Sequence, residues 1–361
     1  MNDATSKNSG TGRKIVSVLL RYVVPLVISA GLCWLLFRNF DFREMWHVIR
    51  TECDFRWVVP GLVLGTAAQI FRALRWQIQL NALGYRVPLF PLVLSMFGTY
   101  AVNLVFPRLG EIWRTGYVAQ RQQAPFAAIF GSMVSDRLAD TITVALLTLG
   151  AFALASGTLI SYMSQGREMA ETLTSLALSP WLWGLVLAFA GGLWWLVKSR
   201  TNNRFVLRIR ELLHQLWQGF AVIVTMPGKG RWCLYTVGVW GCYFAQLLSS
   251  FMAFGFTRDV VASFGLTAVL VAFVVTSISM GVPSNGGIGP WQWAMMFALD
   301  IYGVQASRAA AFANFTLGVT TLLLIALGLF AFVCIPLERR RASRFNDLNN
   351  NSISDKKEWQ K

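Results

Sequence analysis

Residues 89–123 read LFPLVLSMFGTYAVNLVFPRLGEIWRTGYVAQRQQ. The apolar run Leu89–Phe106 approaches the roughly 20 residues a helix needs to cross a bilayer. It then meets Phe106-Pro107-Arg108-Leu109-Gly110-Glu111, where proline and glycine interrupt the apolar pattern. A helix restarting near Gly110 places Glu111 and Arg114, three residues apart, on one face. Whether this stretch crosses the membrane once or turns back decides the fold of the whole chain.

Charge supplies the answer, because positive loops stay in the cytoplasm. Arg13, Lys14 and Arg21 precede the first apolar run, Lys198, Arg200, Arg204, Arg208, Arg210, Lys229 and Arg231 face only Glu211, and Arg339–Arg341 with Arg344 follow the last run. All three regions belong inside. The segment Thr158–Pro180, with Arg167 against Glu168 and Glu171, belongs outside. The loop Arg38–Arg56 is placed outside, its four arginines matched by Asp41, Glu44, Glu52 and Asp54. Apolar segments at 22–37, 57–73, 89–106 and 126–157 give an even count where an odd number of crossings is required. Parity is restored if Leu89–Gln123 enters and leaves from inside and Val261–Tyr302 enters and leaves from outside. Each half then reads span, span, re-entrant hairpin, span, in opposite orientation, which is the plan of many secondary transporters.

The expected fold is therefore all-α: a polytopic transmembrane helix bundle of about six full spans plus two re-entrant helical hairpins in an inverted repeat. Residues 1–14 are expected to form a disordered cytoplasmic N-terminus and 15–337 the membrane domain, with halves at 15–160 and 181–337. Residues 338–361 form a basic cytoplasmic tail. Within 205–220, apolar residues recur at helical spacing with Arg208, Arg210 and Glu211 on other faces, which reads either as an amphipathic helix on the inner leaflet or as a plain connector. Both termini are expected in the cytoplasm of a bacterial cell, with the chain integral to the inner membrane.

Composition agrees. Of 361 residues, 55% are hydrophobic and 14% charged, against about a quarter charged in soluble domains. The net charge of +15 has no soluble domain to present it to nucleic acid, so it fits topology and anionic headgroups instead. Five cysteines without CxxC spacing and two distant histidines, His47 and His214, suggest no metal site. Nucleotide-binding glycine motifs are absent. No cofactor and no catalytic residue is expected.

Charged groups inside a membrane cost roughly 2.5 kcal/mol or more each, so they need partners or water. The first tip offers Arg108, Glu111 and Arg114, with Asn103 placed to satisfy freed backbone. Ser135-Asp136-Arg137-Leu138-Ala139-Asp140 follows, and Asp136 and Asp140 share a helix face. These groups are either a structural ion-pair network or a pocket in which Arg108 and Arg114 take a lipid phosphate while the acids tune the charge. Arg72 and Arg75 read as snorkelling anchors at the end of the second span or as first contacts for a headgroup. The second tip, Pro283–Pro290, has no charge. There Gly286, Gly287 and Gly289 allow close backbone approach, amides at a helix start suit an anion, and Gln292 adds a neutral polar contact.

The set Arg72-x-x-Arg75-Trp76, Asn103-x-x-x-Pro107-Arg108-x-Gly110-Glu111-x-x-Arg114, Asp136-Arg137-x-x-Asp140 and Pro283-x-x-Gly286-Gly287-Ile288-Gly289 resembles the flippase-like membrane family. That family also forms the transmembrane part of lysylphosphatidylglycerol synthases. The resemblance spans roughly 15–337 and implies a lipid-translocating domain. The chain ends in a short polar tail in place of the soluble aminoacyl-transferase domain, so aminoacylation by this chain alone is not expected. Gln292 stands where members commonly carry an acid, and Asp136 where the longer Glu is usual.

The expected function is movement of a phospholipid or lipid-linked phosphate, with anionic or zwitterionic membrane lipids as partners and no enzymatic step. Two other readings stand beside it. One is a non-catalytic membrane partner of a lipid-modifying synthase, or a homo-oligomer. The other is a membrane-embedded enzyme using Glu111, Asp136 and Asp140 as acids or bases.

Overall fold

The computed structural model describes residues 42–106, 109–165, 225–282 and 287–358, with single positions at 214, 217, 221 and 222. Helices dominate. They are α1 (Phe42–Glu52), α2 (Val58–Ala82), α3 (Leu89–Val105), α4 (Leu109–Gln122), α5 (Phe126–Gln165), α6 (Lys229–Ala253), α7 (Gly255–Phe264), α8 (Leu266–Ser279), α9 (Pro290–Asp300) and α10 (Ala306–Glu358). A 3-10 turn, Phe55–Trp57, leads into α2.

Three stretches are long and apolar enough to cross a membrane: Phe55–Ala82, Phe126–Gly157 and Ala306–Glu338. The bent pair α7–α8 makes a fourth if counted as one span. These match the expected spans at 57–73, 126–157 and 309–336. The span expected at 231–256 is α6, which is 25 residues long but less apolar. The spans expected at 22–37 and 181–197 lie outside the described residues. Of the expected 205–220 helix only His214 and Trp217 are described, both helical and exposed. Helix α10 continues through the stretch expected as a basic tail, to Glu358.

Local sequence explains the breaks. Gly84, at φ +88°, closes α2: its amide donates to Asn81 O, and that of Tyr85 donates to Leu80 O, a glycine-dependent helix stop. Phe106 is extended (φ −126°, ψ 110°) because Pro107 disfavours helix in the residue before it. The arms α3 and α4 nevertheless pack on each other, as do α8 and α9, so both expected hairpins are present as helix–break–helix pairs. The second begins later than expected. Helix α7 runs to Phe264, and Gly265 (φ +70°, ψ −163°) turns the chain by 112° into α8, so the arm starts at Leu266 rather than Val261. Only glycine adopts that backbone cheaply.

The halves interlock reciprocally. Helix α2 packs along α6. Helix α10, which closes the second half, packs on hairpin arm α3 of the first, and α5, which closes the first half, packs on arm α8 of the second. Each closing helix thus seats a hairpin arm from the other end of the chain. Two apolar cores result. One gathers Trp76, Leu80, Leu92, Met96, Val118 and Ile129 with Ala331 and Ile335 of α10. The other gathers Phe251, Phe254, Phe273, Met295 and Phe312. Leu146, Leu149 and Leu154 of α5 and Leu322, Leu329 and Val333 of α10 remain exposed, as a lipid-facing surface requires.

Candidate functional site

One buried face of α2 carries Arg72, Arg75, Trp76 and Gln79, spaced so that successive residues stack along the helix. Opposite them, α5 presents Asp136 and Asp140 one turn apart. Arg75 Nη2 donates to Asp140 Oδ1 at 2.8 Å. Asp136 Oδ1 lies 2.8 Å from the same nitrogen, an ion pair out of hydrogen-bond alignment. Arg72 Nη2 is 3.3 Å from Asp140 Oδ2. Arg75, Asp136 and Arg114 are fully enclosed, and Arg72 and Asp140 nearly so.

The first hairpin is tied to the same network. Asn103 accepts the Gly110 amide at 2.8 Å and donates to Glu111 Oε2 at 3.2 Å. Glu111 Oε1 in turn accepts from Arg137 Nη2 at 3.0 Å, and Arg137 Nη1 approaches Asp140 at 3.7 Å. The arms meet closely here: a Cβ on Gly110 would lie 2.1 Å from Thr99 O and 2.7 Å from Asn103 Oδ1.

Arg114 differs from the other arginines. Its guanidinium stacks 4.4 Å from the centre of the Trp76 ring, and Nη1 lies 2.6 Å from Met96 Sδ. Nε and Nη2 have no hydrogen-bond partner, and it forms no ion pair among the described residues. Across the cluster, Arg72, Arg75, Arg114 and Arg137 face Glu111, Asp136 and Asp140, which leaves one formal positive charge. A buried cation without an acid is costly unless something polar or anionic meets it.

The structure brings Arg72, Arg75, Asn103, Glu111, Arg114, Asp136, Arg137 and Asp140 together. Arg72 and Arg75 are not snorkelling anchors, because both are enclosed against α5 and bound to its acids. The acids are likewise committed to Arg72, Arg75 and Arg137. Arg108 lies outside the described residues. Several neighbours gave no signal in sequence. The Tyr243 ring lies 5.8 Å from the Arg72 guanidinium, and its hydroxyl accepts from Gln69 Nε2 at 2.9 Å; Tyr100 lies beside both. The Trp232 ring lies 5.7 Å from that of Arg75. Tyr243 and Trp232 belong to α6, so the second half helps wall the site.

The second hairpin tip does not join this cluster through any hydrogen bond or ion pair among the described residues. Gly287 (φ +88°) and Gly289 (φ +95°) adopt left-handed backbone. The Gln292 side chain folds back to accept the Gly289 amide at 2.9 Å and donates to Asn314 of α10. The Gly289 amide, expected to be available to an anion, is thus already occupied, and Gln292 works as a cap. Gly286 lies outside the described residues.

Residues 22–328 match the family described as the lysylphosphatidylglycerol synthase TM region. The chain belongs to that family. The lysylphosphatidylglycerol synthase TM family is a membrane domain associated with lipid synthesis or flipping, and a lipid-facing bundle with enclosed arginines accords with it. No curated protein and no solved structure matches the chain.

Proposed function

We propose that this member of the lysylphosphatidylglycerol synthase TM family translocates a phospholipid or lipid-linked phosphate across the bacterial inner membrane, with both termini in the cytoplasm. The observation that carries the reading is Arg114: an enclosed guanidinium with two unpartnered nitrogens, in a cluster one positive charge in excess. A phosphodiester is the group such a fork fits. The fixed pairs of Arg75 with Asp136 and Asp140 hold the surrounding walls, so binding requires no rearrangement of the acids. Arg108, one residue before α4, is the natural first contact. Reciprocal seating of each hairpin on the opposite half suits a rocking motion that exposes one site to either leaflet.

The test is mass spectrometry of lipids co-purifying with the full chain and with Arg114→Gln, alongside transfer of a fluorescent lipid in proteoliposomes. One lipid class should be enriched with the wild type and lost with the variant, and transfer should fall at least about tenfold, or 1.4 kcal/mol. Bulk lipid composition in both samples, with stable capture of a lipid-modifying enzyme, would replace translocation by the partner reading.

A further inference from the structure

A second feature lies on the far side of α2 from the buried arginines. A cavity of about 220 Å³ opens between the C-terminal turns of α2 and the first turns of α6. Leu74, Gln77, Ile78 and Asn81 form its wall on α2, and Arg231 and Tyr235 face them from α6. The α2 residues are spaced by three and four, so they make a continuous stripe on the face opposite the buried stripe that carries Arg75. Gln77 Nε2 is committed to Val87 O at 2.8 Å, which fixes the rim. Arg231 is exposed and forms no ion pair among the described residues.

Depth selects the ligand. Helices α2 and α6 are each 25 residues long, about 37 Å at 1.5 Å per residue, against about 30 Å of hydrocarbon. The end at which Asn81 meets Arg231 therefore reaches the headgroup layer. Leu74 sits two turns deeper, where acyl chains begin. Asn81 and Arg231 stand at the mouth beside Ala82 and Pro227, Leu74 and Ile78 line the inner end, and the sequence from Lys198 to Arg231 is basic.

We infer that this seam is a phospholipid site distinct from the arginine cluster. It takes an anionic phosphodiester headgroup at Arg231 and Asn81 and lays the start of an acyl chain along Leu74, Ile78 and Tyr235. Its occupant is a resident lipid that packs the junction of the two repeats. It does not rest on translocation: a chain that moved no lipid would still hold one here.

Native mass spectrometry of the full chain, extracted gently from phosphatidylglycerol vesicles and separately from phosphatidylcholine vesicles, tests this. Arg231→Gln removes the charge at an exposed position, and Ile78→Trp fills the cavity with the charge intact. The wild type should retain a phosphatidylglycerol whose occupancy drops at least fivefold in each variant, with no such lipid from phosphatidylcholine. Unchanged retention in both variants overturns the site, and equal retention of phosphatidylcholine overturns its anionic selectivity. Emptying by excess inorganic phosphate, without loss of detergent-extracted fold, overturns the lipid assignment in favour of a soluble anion. Loss of lipid in Arg231→Gln alongside undiminished transfer in proteoliposomes separates this site from the one at Arg114.

Discussion

Arg75 and Asp136 face each other across the α2–α5 interface at 2.8 Å, both side chains wholly enclosed. Neither ion would be stable there alone, so the pair fixes how the second span and the fourth apolar segment meet. Removing one partner strands the other. Asp136→Ala should destabilise the protein by about 3 kcal/mol, at the low end for a broken buried pair because Asp140 still holds Arg75. Thermal unfolding in detergent checks this, and Arg75→Met with Asp136→Leu should recover part of the loss.

Arg114→Gln should behave in the opposite way. Its guanidinium has no acid to abandon, so stability should change by less than about 1 kcal/mol while lipid retention falls. A stability loss as large as that of Asp136→Ala would make Arg114 a structural residue.

Gly110→Ala would drive a methyl group against Thr99 O, 2.1 Å from the ideal Cβ position. The arms of the first hairpin must then separate at a backbone atom that has no rotamer to escape into. The expected cost is about 1–3 kcal/mol, read as a lowered unfolding midpoint, together with weaker attachment of Glu111 to Asn103.

The span Ala306–Glu338 within α10 carries an ion pair toward each end. Arg121 and Glu338 make two bonds of 2.7 and 2.6 Å and are about one-fifth exposed, whereas Arg308 and Glu52 make one of 3.2 Å and are more open. Double-mutant cycles with alanine should give a coupling of about 1 kcal/mol for the first pair and about 0.5 kcal/mol or less for the second.

Cys53 precedes the first described span, and its thiol is pushed up to about 11, first by burial and then by the Asp54 carboxylate. The thiolate is the reactive form, so at pH 8 only about one molecule in a thousand is ready to react. In a variant retaining this cysteine alone, alkylation should accelerate about tenfold per pH unit between pH 8 and 10. A plateau near pH 9 would contradict the burial.

What was legible in sequence was whatever left a mark in charge or periodicity. Pro107 and the glycines near 287 marked the breaks of both helix pairs. Asp136 and Asp140 announced a shared face by their spacing. The partners of those acids were harder to read, because an arginine at the end of an apolar run looks the same whether it reaches for water or folds inward. Tyr100 and Tyr243 lie inside apolar runs where an aromatic residue is unremarkable, and Trp232 stands at the end of one, where a tryptophan reads as an interfacial anchor. Gly265 sits within an apolar stretch, and nothing local separates a tolerated glycine from a 112° corner.

The meeting of Ala101 with Gly328, where an added Cβ would come within 2.3 Å, bears on the order in which the protein is made. Small residues allow this close approach between helices in lipid, yet Gly328 leaves the ribosome more than half a chain length after Ala101. The first hairpin is therefore synthesised without its seat, and α5 waits in the same way for α8. Halves made as separate polypeptides should find each other in the membrane, and neither should be protease-resistant until they do. A chain truncated before α10 would lose the backing of both hairpins at once, so neither is seated until that helix has emerged.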